Sequence, residues 1–218
     1  MRRARVTLCL AASLTLVLML STTTLAAPTR KAAVYSPSAH VNGASLVDLA
    51  IAWGDWGWQS AETNPLLNPR CEASGIGKIW FAPVSIGEAQ ELDCTLPPGA
   101  KLLITPGGYE CSTAEGNGET LEELTECAET NFTNEICCAQ VIIDGVELTN
   151  LDPYEFTTPG QVLDGPNLFG PDPTLSVERG WYILLRPMSV GEHEVFIYDE
   201  APNFGLVFST TMHITVAP

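Results

Sequence analysis

Leu206-Val207-Phe208-Ser209-Thr210-Thr211-Met212-His213-Ile214-Thr215-Val216 alternates without a break. Leu206, Phe208, Thr210, Met212, Ile214 and Val216 share one side of an extended chain, and the polar residues hold most of the other. Successive side chains of a strand point to opposite faces, so this segment predicts a half-buried strand. Working outward, residues 194–198 and 174–177 read as further strands, and residues 181–185, apolar on both faces, as a central one. Shorter candidates lie at 78–84, 91–96, 101–105, 140–143, 146–148 and 154–157. Asp144-Gly145 between apolar flanks marks a tight hairpin, and Pro97-Pro98-Gly99, Pro106-Gly107-Gly108 and Ser189-Val190-Gly191 read as turns. Residues 150–173, rich in Pro, Gly and Asp, read as a long surface excursion. Many short strands with regular turns predict a mainly β chain, a two-sheet sandwich or jelly roll.

Two helices complete this fold class. Ser45 followed by Asp48 forms a capping-box pattern ahead of Leu46, Leu49, Ala50 and Trp53, and the run should end near Gln59. Thr120 and Glu123 repeat the pattern ahead of Leu121, Leu124 and Ala128, with an end expected before Asn131.

The first 26 residues read as a signal peptide. Arg2, Arg3 and Arg5 precede an apolar run over residues 6–20, and small side chains follow at Thr24-Leu25-Ala26-Ala27. That run is short for a membrane span of about 20 residues. Residues 27–44 read as a flexible arm and residues 45–218 as one domain. The address is therefore secreted, periplasmic or cell-surface, with no span in the mature chain.

Removing residues 1–26 strips three of the ten Lys and Arg and none of the 26 Asp and Glu, taking the formal charge from −16 to −19. From Leu102 to Glu178 there are fifteen carboxylates and no Lys or Arg. Such a surface repels nucleic acid and anionic lipid.

Six cysteines survive export: Cys71, Cys94, Cys111, Cys127, Cys137 and Cys138. In an oxidising compartment an even count predicts disulfides. Pairing Cys71 with Cys94 and Cys111 with Cys127 closes loops of roughly 15–25 residues, each bridge contributing about 3 kcal/mol. Cys137 and Cys138 either pair elsewhere or form a labile vicinal bridge. Zinc is disfavoured, because no Cys-x2-Cys pair or nearby histidine completes a tetrahedral set.

No Gly-x-Ser-x-Gly motif accompanies the three histidines His40, His193 and His213, so nucleophilic hydrolysis is disfavoured. An enzyme using paired carboxylates stays open, but fifteen candidates in one stretch single out none. Trp53, Trp56 and Trp58 within six residues are the sharpest candidate binding feature, as indoles stack on sugar rings, although core packing explains the same cluster. No cofactor is indicated. Ca²⁺ is the one candidate ion, through Asp164 and Asp172 beside Asn167 in the 150–173 excursion. Asn131-Phe132-Thr133 is a glycosylation sequon.

Several pieces occur in a telling order. They are the Trp-rich segment 45–58, Asn64-Pro65-Leu66-Leu67, Cys71, Lys78-Ile79-Trp80-Phe81-Ala82 and Cys94-Thr95-Leu96-Pro97-Pro98-Gly99. Glu110-Cys111-Ser112, residues 124–127 and Gly191-Glu192-His193 follow. In this the chain resembles a group of exported bacterial β-rich proteins with a Trp-rich N-terminal helix, patterned cysteines and no assigned activity. Cys137-Cys138 departs from that pattern. The resemblance implies an exported β-rich domain and no reaction. The expectation is a non-catalytic exported protein that binds an extracellular ligand, glycan or partner protein. The alternatives are an extracellular hydrolase with paired carboxylates and a structural surface or envelope protein.

Overall fold

The computed structural model describes residues 34–87 and 89–218. The signal peptide read over residues 1–26 lies outside them, as does the start of the arm.

In chain order the elements begin with helix α1 (Leu46–Gly57) and strands β1 (Glu72–Ala73), β2 (Ile79–Phe81), β3 (Gln90–Leu96), β4 (Lys101–Ile104) and β5 (Gly108–Ser112). Helix α2 (Leu121–Glu135) precedes β6 (Cys137–Ile143), β7 (Val146–Glu147), β8 (Glu155–Thr157) and β9 (Gln161–Leu163). The chain finishes with β10 (Thr174–Trp181), β11 (Ile183–Leu185), β12 (Gly191–Ala201) and β13 (Leu206–Val216). The class is mainly β with two helices and two disulfides, as the pattern of the sequence predicts.

Three sheets form among the described residues. One runs β1-β2-β4-β11, a second β3-β13-β12-β6-β7, and a third β5-β10-β8 with β9 also on β10. Ile79, Phe81, Leu103, Ile183 and Leu185 of the first sheet and Val195, Ile197, Met212 and Ile214 of the second join one apolar core with the buried stripe of α1. Strand β13 buries Thr210, Met212, Ile214 and Val216, so its alternation is realised where β12 and β3 flank it.

The third sheet arises by a bend. Strands β4 and β11 pair with Ile104 opposite Ile183, and their continuations β5 and β10 pair with Gly108 opposite Gly180. Between them the Trp181 amide donates to the Gly107 carbonyl at 3.1 Å. Pro106-Gly107-Gly108, expected as a turn, is thus a kink within a continuous antiparallel pair. It leaves one part of the pair in the sandwich and sends the other into a smaller sheet.

Both helices start as their capping boxes predict. Asp48 N donates to Ser45 Oγ while Ser45 N donates to Asp48 Oδ2 at 2.8 Å, and Thr120 and Glu123 do the same for α2. Helix α2 runs past Asn131 to Glu135 because Phe132 extends the buried stripe of Leu124 and Ala128 and packs its ring 4.8 Å from Trp181. Asp144 and Gly145 both adopt positive φ, which a two-residue hairpin turn of this kind requires.

Residues 34–44 correct the expectation of a flexible arm. Val34 bridges Leu185, Tyr35 N donates to the Leu184 carbonyl, and Val41 and Ala44 are buried. The Arg186 guanidinium lies over the Tyr35 ring at 4.8 Å and donates to the Val34 carbonyl. The long excursion also supplies β8 and β9 to the third sheet. No helix among the described residues is long and apolar enough to cross a membrane.

Candidate functional site

A cavity of about 240 Å³ opens at the strand bend, walled by Trp53, Trp58 and Phe208 and reached by Glu110, Glu178 and Asp199. Each acid comes from a different strand: Glu110 from β5, Glu178 from β10 and Asp199 from β12.

Glu110 and Glu178 are direct partners across the antiparallel pair. Opposed side chains of such a pair lie on one face with Cβ atoms about 4.5–5.5 Å apart, and like charges there repel. The glycines of the kink admit the carboxyls. A Cβ on Gly108 would meet Glu178 Oε1 at 2.9 Å, and one on Gly107 would meet the Asp199 carboxyl carbon at 2.7 Å. Here the absence of a side chain, more than backbone freedom, is what the two positions need.

These acids are poised to be neutral. Burial pushes Glu178 up to about 7, although the Tyr182 hydroxyl and the Trp58 indole approach its carboxylate and pull the other way. Burial outweighs both contacts. Glu110 is pushed up to about 8, mainly by burial and further by Glu115 and Glu178, against a hydrogen bond from Ser176 Oγ at 2.6 Å. Burial alone lifts Asp199 to about 7. Among the described residues no ion pair joins these three carboxylates to a Lys or Arg, so no cation offsets the burial of their charge. The Thr105 hydroxyl lines the same cavity, is buried, and has no hydrogen-bond partner among the described residues.

The three tryptophans take different places. Trp53 is 1 % exposed and donates from Nε1 to the Ala82 carbonyl at 3.0 Å. Trp56 is buried with its indole N–H on Glu72. Trp58, the C-cap of α1, is half-buried between Trp53 and Phe169. They form no exposed platform: Trp53 and Trp58 present themselves to the cavity from within the fold, and Trp56 does not line it.

The other candidates lie elsewhere. Asp164 and Asp172 are exposed, and their backbone carbonyls accept from Asn167 Nδ2 at 3.3 and 3.1 Å. An amide donor thus occupies the middle of the loop proposed for Ca²⁺. The disulfides Cys71–Cys94 and Cys111–Cys127 are formed, with Cα separations of 5.5 and 6.2 Å. Cys137 and Cys138 are unbridged at the start of β6. A thiol hydrogen bond with Cys138 is the largest influence pushing Cys137 up to about 11, far from a thiolate nucleophile. Asn131 turns its amide toward the Cys127 sulfur at 3.3 Å.

One arrangement escaped the sequence. His193 Nδ1 lies 2.9 Å from Asp144 Oδ2, and Nε2 lies 3.2 Å from Ser189 Oγ, the order of a Ser-His-Asp relay. Nε2 is closer, at 2.9 Å, to the Ser189 carbonyl, an acceptor, so it is placed as a donor and not as the base for the hydroxyl. Asp144 also accepts from the Glu194 amide, so the group pins the β6–β7 turn to β12.

The chain matches no family model and no curated protein.

Proposed function

We propose that the chain is an exported, non-catalytic β-sandwich protein that binds a small, neutral, hydroxyl-rich ligand, a sugar unit by preference, in the cavity at the strand bend. The observation that carries this reading is the meeting of three carboxyls pushed up to about 7 or 8 with indole and phenyl walls in one cavity. A neutral carboxyl offers an O–H donor and an acceptor together, and indole faces pair with the apolar side of a sugar ring. The Thr105 hydroxyl supplies a further polar group in need of a partner. At about 240 Å³ the cavity lies below the ~300–1,000 Å³ of pockets for drug-sized ligands, so it suits one ring or one chain end. Two disulfides suit the oxidising compartment that export implies.

Calorimetric titration and a glycan array on the mature chain test this reading. Binding should be strongest below pH 7 and fall above pH 8 as the carboxyls ionise, with Thr105→Val and Trp58→Ala each weakening it about tenfold. Binding that strengthens with pH would mean a cationic ligand, and binding indifferent to both substitutions would place the site elsewhere.

A hydrolase is the second reading, favoured by the opposed Glu110–Glu178 pair. Both carboxyls reach one cavity, as a paired-carboxylate hydrolase requires, and the higher position of Glu110 suits the acid. Turnover of aryl glycosides that Glu110→Gln and Glu178→Gln both abolish would replace the binding reading with this one.

A further inference from the structure

A second site lies between β6 and β12, on the face of β12 turned away from the cavity. Strand β6 pairs with β12 in register from Ile143 to Gln140, and the register then shifts, with Cys137 opposite Glu200. Three steps along β6 span two along β12, which is a β-bulge. Within it Cys138 has a φ of +64°, a left-handed conformation that is uncommon for a residue with a side chain. In an unbroken strand Cys137 and Cys138 would point to opposite faces. Here the two sulfurs and a carboxylate oxygen of Glu200 all lie within 4.8 Å of one another. The Tyr198 hydroxyl donates to Glu200 Oε1 and so orients that carboxylate. Cys137 is half-buried and Cys138 exposed, which leaves the cluster open on one side.

We propose that Cys137, Cys138 and Glu200 form a binding site for one thiophilic d¹⁰ divalent cation, zinc being the natural case. Two thiolates and a carboxylate are three of the four ligands such an ion takes, and the open side leaves room for water or a ligand as the fourth. Metal–sulfur bonds of about 2.3 Å and a metal–oxygen bond of about 2.0–2.2 Å place ligand atoms roughly 3.5–3.8 Å apart. The cluster is within about an ångström of that spacing before any ion is bound. On binding, the two thiol protons leave to solvent and the cation takes their place. A bulge that turns both sulfurs to one side serves no pairing purpose in the sheet, where a regular residue would keep the ladder whole. The ligand set was invisible in the sequence because the third member arrives from β12 and the spacing matches no zinc motif. This site is independent of the cavity, since Asp199 and Glu200 point to opposite faces of β12.

The test is titration of the chelator-treated mature chain, prepared without reductant, with Zn²⁺ and with Cd²⁺. The other four mature cysteines are in disulfides and do not respond. The expected result is one ion per chain, thiolate-to-cadmium charge-transfer absorption, and protection of both thiols from alkylation by Zn²⁺. Glu200→Gln, which leaves the bulge intact, should weaken binding about tenfold, and Cys137→Ser with Cys138→Ser should abolish the absorption while the circular dichroism stays unchanged. Absence of thiolate absorption would overturn the proposal. So would equal binding by the double serine variant, or a Cys137–Cys138 disulfide in the isolated protein that, once reduced, still takes no metal.

Discussion

Strand β10 has two faces, and they are built on opposite principles. Toward α2, Val177 joins Leu124, Ala128 and Cys111 in a small closed apolar cluster stapled by the Cys111–Cys127 bridge. On its other face the same strand carries Thr174, Ser176 and Glu178, all buried, and Glu178 reaches the cavity with Glu110 opposite. One face is stabilised by removing carbon from water. The other hides oxygen from water and raises its acids, an arrangement that adds nothing to the core.

The contrast predicts graded effects. On the closed face Leu124→Ala should cost about 2–5 kcal/mol, from lost burial and the void left under α2, read by urea denaturation. On the open face Glu178→Gln should be nearly neutral at pH 5 and stabilising at pH 9, by on the order of 3 kcal/mol. The sign follows from the upward shift: between the unfolded position near 4.5 and the folded one near 7 the native state holds the extra proton, so stability falls as pH rises through that window. Thermal melting between pH 4 and 9 should therefore decline in the parent chain and decline less steeply in the variant, where Glu110 and Asp199 still titrate. Next in size, Gly108→Ala should cost roughly 1–3 kcal/mol by driving a methyl group against the Glu178 carboxyl, and should reduce ligand binding more than stability alone explains. The smallest effect belongs to a position on neither face: Val162→Ser, 61 % exposed on β9, should stay within about 0.5 kcal/mol.

How far the sequence carried the reading depends on which face a residue serves. Strand β13, both capping boxes, the Asp144-Gly145 turn and the two loop-closing disulfides obey local rules and were legible. Strand β5 is not legible in the sequence, because Gly108-Tyr109-Glu110-Cys111-Ser112 has the composition of a loop and only its partner β10 makes it a strand. Asn131 looks like a stop for helix α2 in the sequence, whereas Phe132 docking on Trp181 carries the helix onward. The acids of the cavity come from three strands, and a Glu outside a core looks the same in sequence as a Glu inside one. Asp199 alone left a trace. It sits in the inward series Val195, Ile197, Asp199, Ala201 of β12, where a carboxyl interrupts an otherwise apolar alternation. That break in phase was the one local sign of the site.

Raised titration of its three carboxyls is what sets the cavity apart from an ordinary polar cleft. Carbon-13 titration of the chain by NMR, with Glu110→Gln, Glu178→Gln and Asp199→Asn assigning the resonances, tests it most directly. Midpoints near 8 for Glu110 and near 7 for Glu178 and Asp199 are the predicted result. Three midpoints near 4 would show ordinary solvated carboxylates and contradict the account.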